Sequence, residues 1–174
     1  MRKNPFQSKF WPLIGIALLL NSCGYHLVGT GSSLPGHLKT LFIPNFTNSS
    51  TEPRIHRELT SAVIDSFITD RRLKIVKTGK ADLVMKGNLF YYKLRAVSFG
   101  SDDFVSDYIV ELGVDVEVID QIKDEPYMKD KFTTEWNYSA SSDIVNTESA
   151  RLAALSQAYN ELGNRLVSLL IDQF

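Results

Sequence analysis

Between Tyr108 and Val118 the chain alternates with a period of two. Tyr108, Val110, Leu112, Val114, Val116 and Val118 are separated by Ile109, Glu111, Gly113, Asp115 and Glu117, the pattern of a strand with one buried face. After a turn over 120–126, Phe132, Thr134, Trp136 and Tyr138 alternate in the same way with Thr133, Glu135 and Asn137. Upstream, residues 82–94 predict a long apolar and aromatic strand. Leu83, Met85, Leu89 and Tyr91 fall on one face, and Val84, Phe90, Tyr92 and Leu94 on the other. Residues 95–107 break the alternation and are expected as a loop carrying two stranded aromatics, Phe99 and Phe104. The three long strands predict an antiparallel meander. Shorter strands are predicted at 39–44, closed by Pro44, and at 73–76.

Two stretches carry the helical period instead. Ile55, Leu59, Ala62/Val63 and Phe67 form one apolar stripe through Ile68. Pro53 suits a first helical turn, with Thr51 or Glu52 at the cap. The last element is predicted from Glu148 to Ile171, capped by Thr147, with Leu152, Leu155, Tyr159, Leu162, Leu166 and Leu169 stepping by three and four. A coiled-coil seam would share that spacing. The sheet argues for the other reading, because strands of about eleven residues span roughly 36 Å and a helix of about 23 residues spans roughly 34 Å. The expected fold is a two-layer α+β sandwich, two α-helices on one face of a four-stranded, mostly antiparallel, mixed sheet.

A different pattern opens the chain. Arg2, Lys3 and Lys9 precede an apolar run from Trp11 to Leu20, too short to span a bilayer at about twenty residues. Basic, apolar and then small residues is the layout of a secretory signal peptide. Leu20-Asn21-Ser22-Cys23 resembles a bacterial lipobox, in which the lipidated Cys becomes the first residue of the mature chain. Cys23 is the chain's one cysteine; a buried thiol and an intermolecular disulfide are the other roles open to it. Diacylglycerol and N-acyl chains on Cys23 would hold the protein stably at a membrane, since one chain alone anchors marginally. Gly24, rather than Asp, resembles lipoproteins sent on to the outer membrane. The expected organisation is a signal peptide at 1–22, a Gly/Ser/Pro-containing linker at 23–38 and one domain at 39–174.

Beyond residue 22 the chain holds sixteen basic and twenty acidic residues, which speaks against a nucleic-acid binder. Enzymatic motifs are missing. His26, His37 and His56 stand in separate contexts without metal-ligand spacing. Gly29-x-Gly31 follows no strand, Thr78-Gly79-Lys80 lacks the upstream glycine of a phosphate loop, and no serine sits in a nucleophile elbow. Asp102-Asp103 lie in a Ser/Gly stretch that favours solvation over acid–base work. The chain reads as a non-enzyme with no metal and no cofactor beyond the covalent lipid. One charge cluster remains: Arg71, Arg72, Lys74, Lys77 and Lys80 place five cations within ten residues. It reads either as a solvated strand edge protected from pairing or as a phosphate site.

Several of these segments together resemble a known family. Cys23-Gly-Tyr-His-Leu27, Leu34-Pro35, Lys39-Thr-Leu-Phe-Ile-Pro-Asn-Phe-Thr-Asn48, Glu52-Pro53, Asp70-Arg-Arg-Leu73 and Ala81-Asp-Leu-Val-Met-Lys-Gly87 resemble the LptE family of lipopolysaccharide-assembly lipoproteins. Where such proteins tend to have Asp-Gly-Arg-Leu, this chain has Arg71. The resemblance implies two helices against a four-stranded sheet. It also implies an outer-membrane lipoprotein that plugs the LptD β-barrel, helps to assemble it and passes lipopolysaccharide to the outer leaflet. It carries over no lipopolysaccharide-contacting residue. On the residues alone, two alternatives stay open: a pilotin-like escort of another outer-membrane channel, and a periplasmic lipoprotein that binds a lipid or glycan.

Overall fold

The structure, a computed structural model, describes residues 34–77, 80–99, 105–141 and 143–172. The proposed signal peptide, Cys23, His26, Gly29, Gly31, Thr78, Gly79, Asp102 and Asp103 lie outside them. Among the described residues the elements are β1 (Thr40–Phe42), β2 (Thr47–Asn48), α1 (Ile55–Asp70), β3 (Lys74–Ile75), β4 (Leu83–Phe99), β5 (Val105–Asp120), β6 (Glu125–Ser139) and α2 (Ile144–Ile171). The class is the expected α+β sandwich, but the sheet has six strands rather than four, ordered β3-β1-β4-β5-β6 with β2 also on β4. The difference comes from the short strands. β1 pairs in parallel with both β3 and β4, and β2 continues the same edge of β4 after Ile43–Phe46. Asp82 pins this corner, its Oδ2 accepting the backbone N–H groups of Lys39 and Thr40 at 2.8 Å each.

The meander is long and antiparallel, as the alternation predicts. On β5, Val110, Leu112, Val114, Val116 and Val118 all point to the helices and are at most 1 % exposed. Opposite Val114 stand Leu89 on β4 and Phe132 on β6, which are also buried. The predicted faces of β4 hold only as far as Leu89. There the register shifts: Leu89 pairs with Val114 but Tyr91 with Gly113, leaving Phe90 as an extra residue. One inserted residue reverses the parity of everything after it. Tyr91 is therefore on the polar face, bonded to Glu111 at 3.1 Å, while Tyr92 turns inward. Gly113 makes room for the bulge, since a Cβ there would stand 2.6 Å from Phe90 Cζ.

The loop expected at 95–107 is mostly strand. β4 runs on to Phe99 and β5 begins at Val105. Further register shifts between Ala96 and Ser98 and between Ser98 and Phe99 break the period of two without ending the pairing, so the alternation vanishes while the ladder continues.

Both helices cover the same face. Ile55, Leu59, Val63 and Phe67 of α1 are buried at successive four-residue steps. The helix begins after Pro53, at Ile55, behind Arg54 in the left-handed conformation and without a side-chain cap. α2 starts at Ile144, one turn earlier than the pattern predicts, because Asp143 accepts the Val145 N–H at 2.8 Å. Thr147 instead ties the approach to the helix, its Oγ1 accepting the Ser141 N–H at 2.9 Å. Where the helices cross, a Cβ at Gly163 would overlap Ser66 Oγ and lie 3.2 Å from the Ala62 carbonyl oxygen. The close approach explains a glycine in mid-helix. Leu152, expected in the buried stripe, is 49 % exposed.

Residues just before β1 also pack onto the domain. Leu38 is buried, and His37 Nε2 is 2.9 Å from Asp120 Oδ2. Asp120 closes β5 and accepts the turn's Ile122 and Lys123 N–H groups at 2.9 and 3.1 Å.

Candidate functional site

The five-cation cluster lies where α1 runs into β3. Arg71 occupies the position just past the helix, at φ 67°, and its N–H reaches the Phe67 carbonyl at 3.1 Å. This left-handed position is the one glycine usually fills. Leu73, 2 % exposed, anchors the connection in the core, so that Lys74 and Lys77 are left at the surface. Arg71, Lys74 and Lys77 line one open groove of about 790 Å³. Its apolar surface comes from Ile64 and Ile68 of α1, one turn apart, and from Phe42, Ile75 and Val76 of the sheet edge.

The structure does not gather all five cations. Arg72 turns away, donating to Asp70 from Nε at 2.9 Å and from Nη2 at 2.7 Å, and to Asp172 beyond the end of α2 from Nη1. These bonds hold the Asp70 carboxyl below the usual carboxylate range, against the opposing effect of its partial burial. Arg72 thus clamps the ends of the two helices together. Lys80 is exposed and does not line the groove.

A second cluster escaped the sequence reading. Tyr108 and Tyr138, paired across β5 and β6, stack with ring centroids 5.4 Å apart. Arg151 of α2 reaches toward them, donating from Nη1 to Tyr92 Oη at 3.0 Å and gripping both oxygens of Glu148 at 2.8 Å. Glu52 completes its surroundings at 3.5 Å. The Glu148 carboxyl is accordingly held below its usual range. Tyr159, deeper in the core, has an Oη without a hydrogen-bond partner, and burial pushes its phenol well above the ordinary tyrosine value. The hidden signal was Tyr92, which the bulge at Phe90 swings to this side. Arg151 carries no signal in the sequence, because a single basic residue in an amphipathic helix reads as solvated.

The sheet's far face is polar and sign-alternating. Lys86, Glu117 and Lys129 form one row across β4, β5 and β6, and Asn88, Asp115 and Lys131 the next. Lys129 stands 3.4 Å from Glu117 and Lys131 3.3 Å from Asp115, with the Lys131 ammonium 5.2 Å from the Phe90 ring centroid. Toward the β4–β5 hairpin end apolar side chains remain at the surface: Val97 and Phe99 are exposed, as are Ile144 and Val145 at the start of α2, and so are Leu94 and Trp136, which both pair with Val110 and therefore lie on the helix-bearing side.

Among the described residues no three His, Cys, Asp or Glu side chains come together in a metal-binding arrangement. No helix there is long and apolar enough to cross a membrane. His37 is committed to Asp120, and His56 lies on α1.

Three comparisons place this geometry among known proteins. No curated protein matches the chain in sequence. Among solved structures, an uncharacterized lipoprotein B from Nitrosomonas europaea is 13 % identical, with a TM-score of 0.53, over 84 % of this chain and 92 % of that one. A hypothetical protein from Chlamydia trachomatis, 9 % identical with a TM-score of 0.55, is matched over 76 % of this chain and 98 % of that one. At such identities these likenesses show the fold, two helices on an open mixed sheet. A family model described as lipopolysaccharide-assembly matches residues 38–170, which spans β1 through nearly all of α2. The chain belongs to the LptE family and has its role in lipopolysaccharide assembly.

Proposed function

We propose that this chain is an outer-membrane lipoprotein, held by acyl chains on Cys23, that lodges in an LptD-type β-barrel. There it would help the barrel to assemble and assist the insertion of lipopolysaccharide into the outer leaflet. The observation that carries this reading is the family match across 38–170. The character of the surface supports it. The interiors of membrane β-barrels are polar, and a plug in such a lumen needs a polar face. The uncovered side of the β4–β5–β6 sheet supplies one, with its rows of lysine opposite glutamate and aspartate. The role asks for binding and not for chemistry, in keeping with the absence of enzymatic motifs in the sequence.

The test is capture from the native cell. Tagged chain is extracted in mild detergent, and the expected result is one co-purifying outer-membrane β-barrel in near-equal amount. Recovery of a different class of channel would favour the pilotin-like alternative, and recovery of the chain alone would remove the plug reading.

A further inference from the structure

Past Leu89, β4 has an open side. β1 and then β2 pair with its outer edge as far as Leu89, whose carbonyl accepts the Ser49 N–H at 2.8 Å. The chain then leaves for α1, and among the described residues no strand pairs with that edge beyond this point. Which backbone groups lie open follows from the phase of the ladder. The Ala140 N–H bonds the Ser106 carbonyl at 2.8 Å, and along an antiparallel pair bonded and non-bonded positions alternate. From Ser106 to Val118, even-numbered residues of β5 therefore bond β6 and odd-numbered ones bond β4. The β4 partners of Gly113, Glu111 and Ile109 are Tyr91, Lys93 and Arg95. The N–H and C=O groups of Leu94 and Ala96 accordingly point away from the sheet. The bulge at Phe90 sets this phase, since before it the outward groups belong to odd-numbered residues such as Leu89.

The two faces beside that edge differ. On the helix-bearing side stand Tyr92, Leu94 and Ala96, paired with Leu112, Val110 and Tyr108. Leu94 is 40 % exposed. With Tyr92, Tyr108 and Tyr138 it walls an open hollow of about 450 Å³, closed on the other side by Thr147 and Arg151 of α2. Glu148 already holds the Arg151 guanidinium, so the hollow offers aromatic and aliphatic surface to an apolar side chain. On the other face the edge carries Lys93 and Arg95, with Glu111 bonded to Arg95 at 2.9 Å. A lipid bilayer would leave the open backbone groups without partners. A second copy pairing antiparallel about Lys93, Leu94 or Arg95 would set these cations against their own counterparts, and like charges across strands destabilise. A foreign strand that is apolar on one face and acidic on the other meets both demands.

We propose that this edge binds an extended segment of a partner protein as an added strand, its main chain bonded to Leu94 and Ala96. Alternate apolar side chains enter the tyrosine-lined hollow, and the intervening acidic ones lie beside Lys93 and Arg95. In strand addition of this kind main-chain bonds supply affinity, and pockets for alternate side chains supply selectivity. The wall of a closed membrane barrel has no strand edge to give, so the segment belongs to a loop or a tail. The inference goes beyond lodging in a barrel and stands without it.

The probe is fluorescein-labelled Thr-Val-Glu-Leu-Glu-Val-Thr-amide, added to the full chain bearing Cys23→Ser. Anisotropy follows binding, and NMR follows amide exchange. In the free chain the Lys93 and Arg95 amides should exchange slowly and those of Leu94 and Ala96 fast. Saturating peptide should slow Leu94 and Ala96 at least tenfold. N-methylating the peptide's apolar residues, or instead its glutamates, should abolish binding in one case and spare it in the other, and the case that fails gives the direction of the strand. Ala96→Pro removes an outward N–H while keeping the ladder to β5, and Leu94→Glu charges the hollow. Each should weaken the peptide at least tenfold with little change in Tm. Ile122→Glu, exposed in the β5–β6 turn, should leave binding unchanged. Absence of binding, equal tolerance of both methylated peptides, or Leu94 and Ala96 amides that ignore the peptide overturns the proposal. So does a dimer in sedimentation velocity that Leu94→Glu breaks, or flotation with phosphatidylethanolamine–phosphatidylglycerol vesicles that Leu94→Glu abolishes.

Discussion

Val114→Asp places a carboxyl at the centre of the core. Val114 is 1 % exposed, between Leu89 at 0 % and Phe132 at 1 %. Losing the valine side chain costs about 2–3 kcal/mol on the scale of buried large-to-small changes. Burying a polar group without a partner adds about 2 kcal/mol or more. A total near 5 kcal/mol consumes much of a domain's roughly 5–15 kcal/mol. The effect has a pH signature. Burial raises the folded-state pKa of the new carboxyl above its unfolded value near 3.9. The deficit is therefore largest above the raised folded pKa and shrinks as pH falls toward 4. Glu117→Lys, three residues on and on the polar face, is the comparison. It loses an exposed pair at 3.4 Å with Lys129 and sets a third lysine between Lys86 and Lys129, costing about 1 kcal/mol. Urea unfolding followed by circular dichroism between pH 4 and 8 measures both. Equal loss in the two variants, or a Val114→Asp deficit that does not narrow on acidification, would refute the assignment of faces on β5.

Gly163→Ala should destabilise by about 1–2 kcal/mol through crowding at Ser66 and Ala62, despite alanine's better helix propensity. Adding Ser66→Ala should recover part of that loss in thermal melts. Asp120→Asn should melt below the wild type at pH 7. The His37 bond and the turn's N–H groups hold the Asp120 carboxyl below its usual range, so the stability it contributes is present above the unfolded value near 4 and fades as pH falls through the lowered folded value. The two melting curves should converge in that acid window. Cys23→Ser should leave the circular dichroism of the domain unchanged and, where lipid alone anchors the protein, release it from membranes. Sedimentation with outer membranes after a salt wash would show a protein partner holding it instead.

The sequence made the strands and helices legible where one periodicity ran unbroken. β5 reads directly because, from Tyr108 to Val118, every inward position is apolar and no residue of the strand is skipped in either pairing. β4 does not, because single-residue insertions at Phe90 and around Val97–Ser98 reverse the faces without changing composition. The alternation therefore predicts Tyr91 inside and a loop at 95–107, where the ladder instead continues. β1 and β3 were visible as apolar runs, but their partners were not: Thr40–Phe42 bridges β3 and β4 only through the fold, with Asp82 holding the junction, and Thr47–Asn48 of β2 lies in a polar stretch that reads as a turn. At the candidate site, the cluster of cations was legible and its division was not. Arg72 neighbours Arg71 in sequence, yet it is drawn to Asp172 one hundred residues away. The apolar part of the groove was not legible either: Ile64 lies outside the predicted stripe, Ile68 at its end reads as buried, and Phe42, Ile75 and Val76 join them only through the fold.

The central claim, a role in lipopolysaccharide assembly, is tested most directly by depleting the chain from its native cell and following newly made lipopolysaccharide. Pulse-labelled lipopolysaccharide should stop reaching the outer leaflet as the chain disappears, and should resume when the intact chain is restored. Undiminished arrival at the cell surface after depletion would contradict the account.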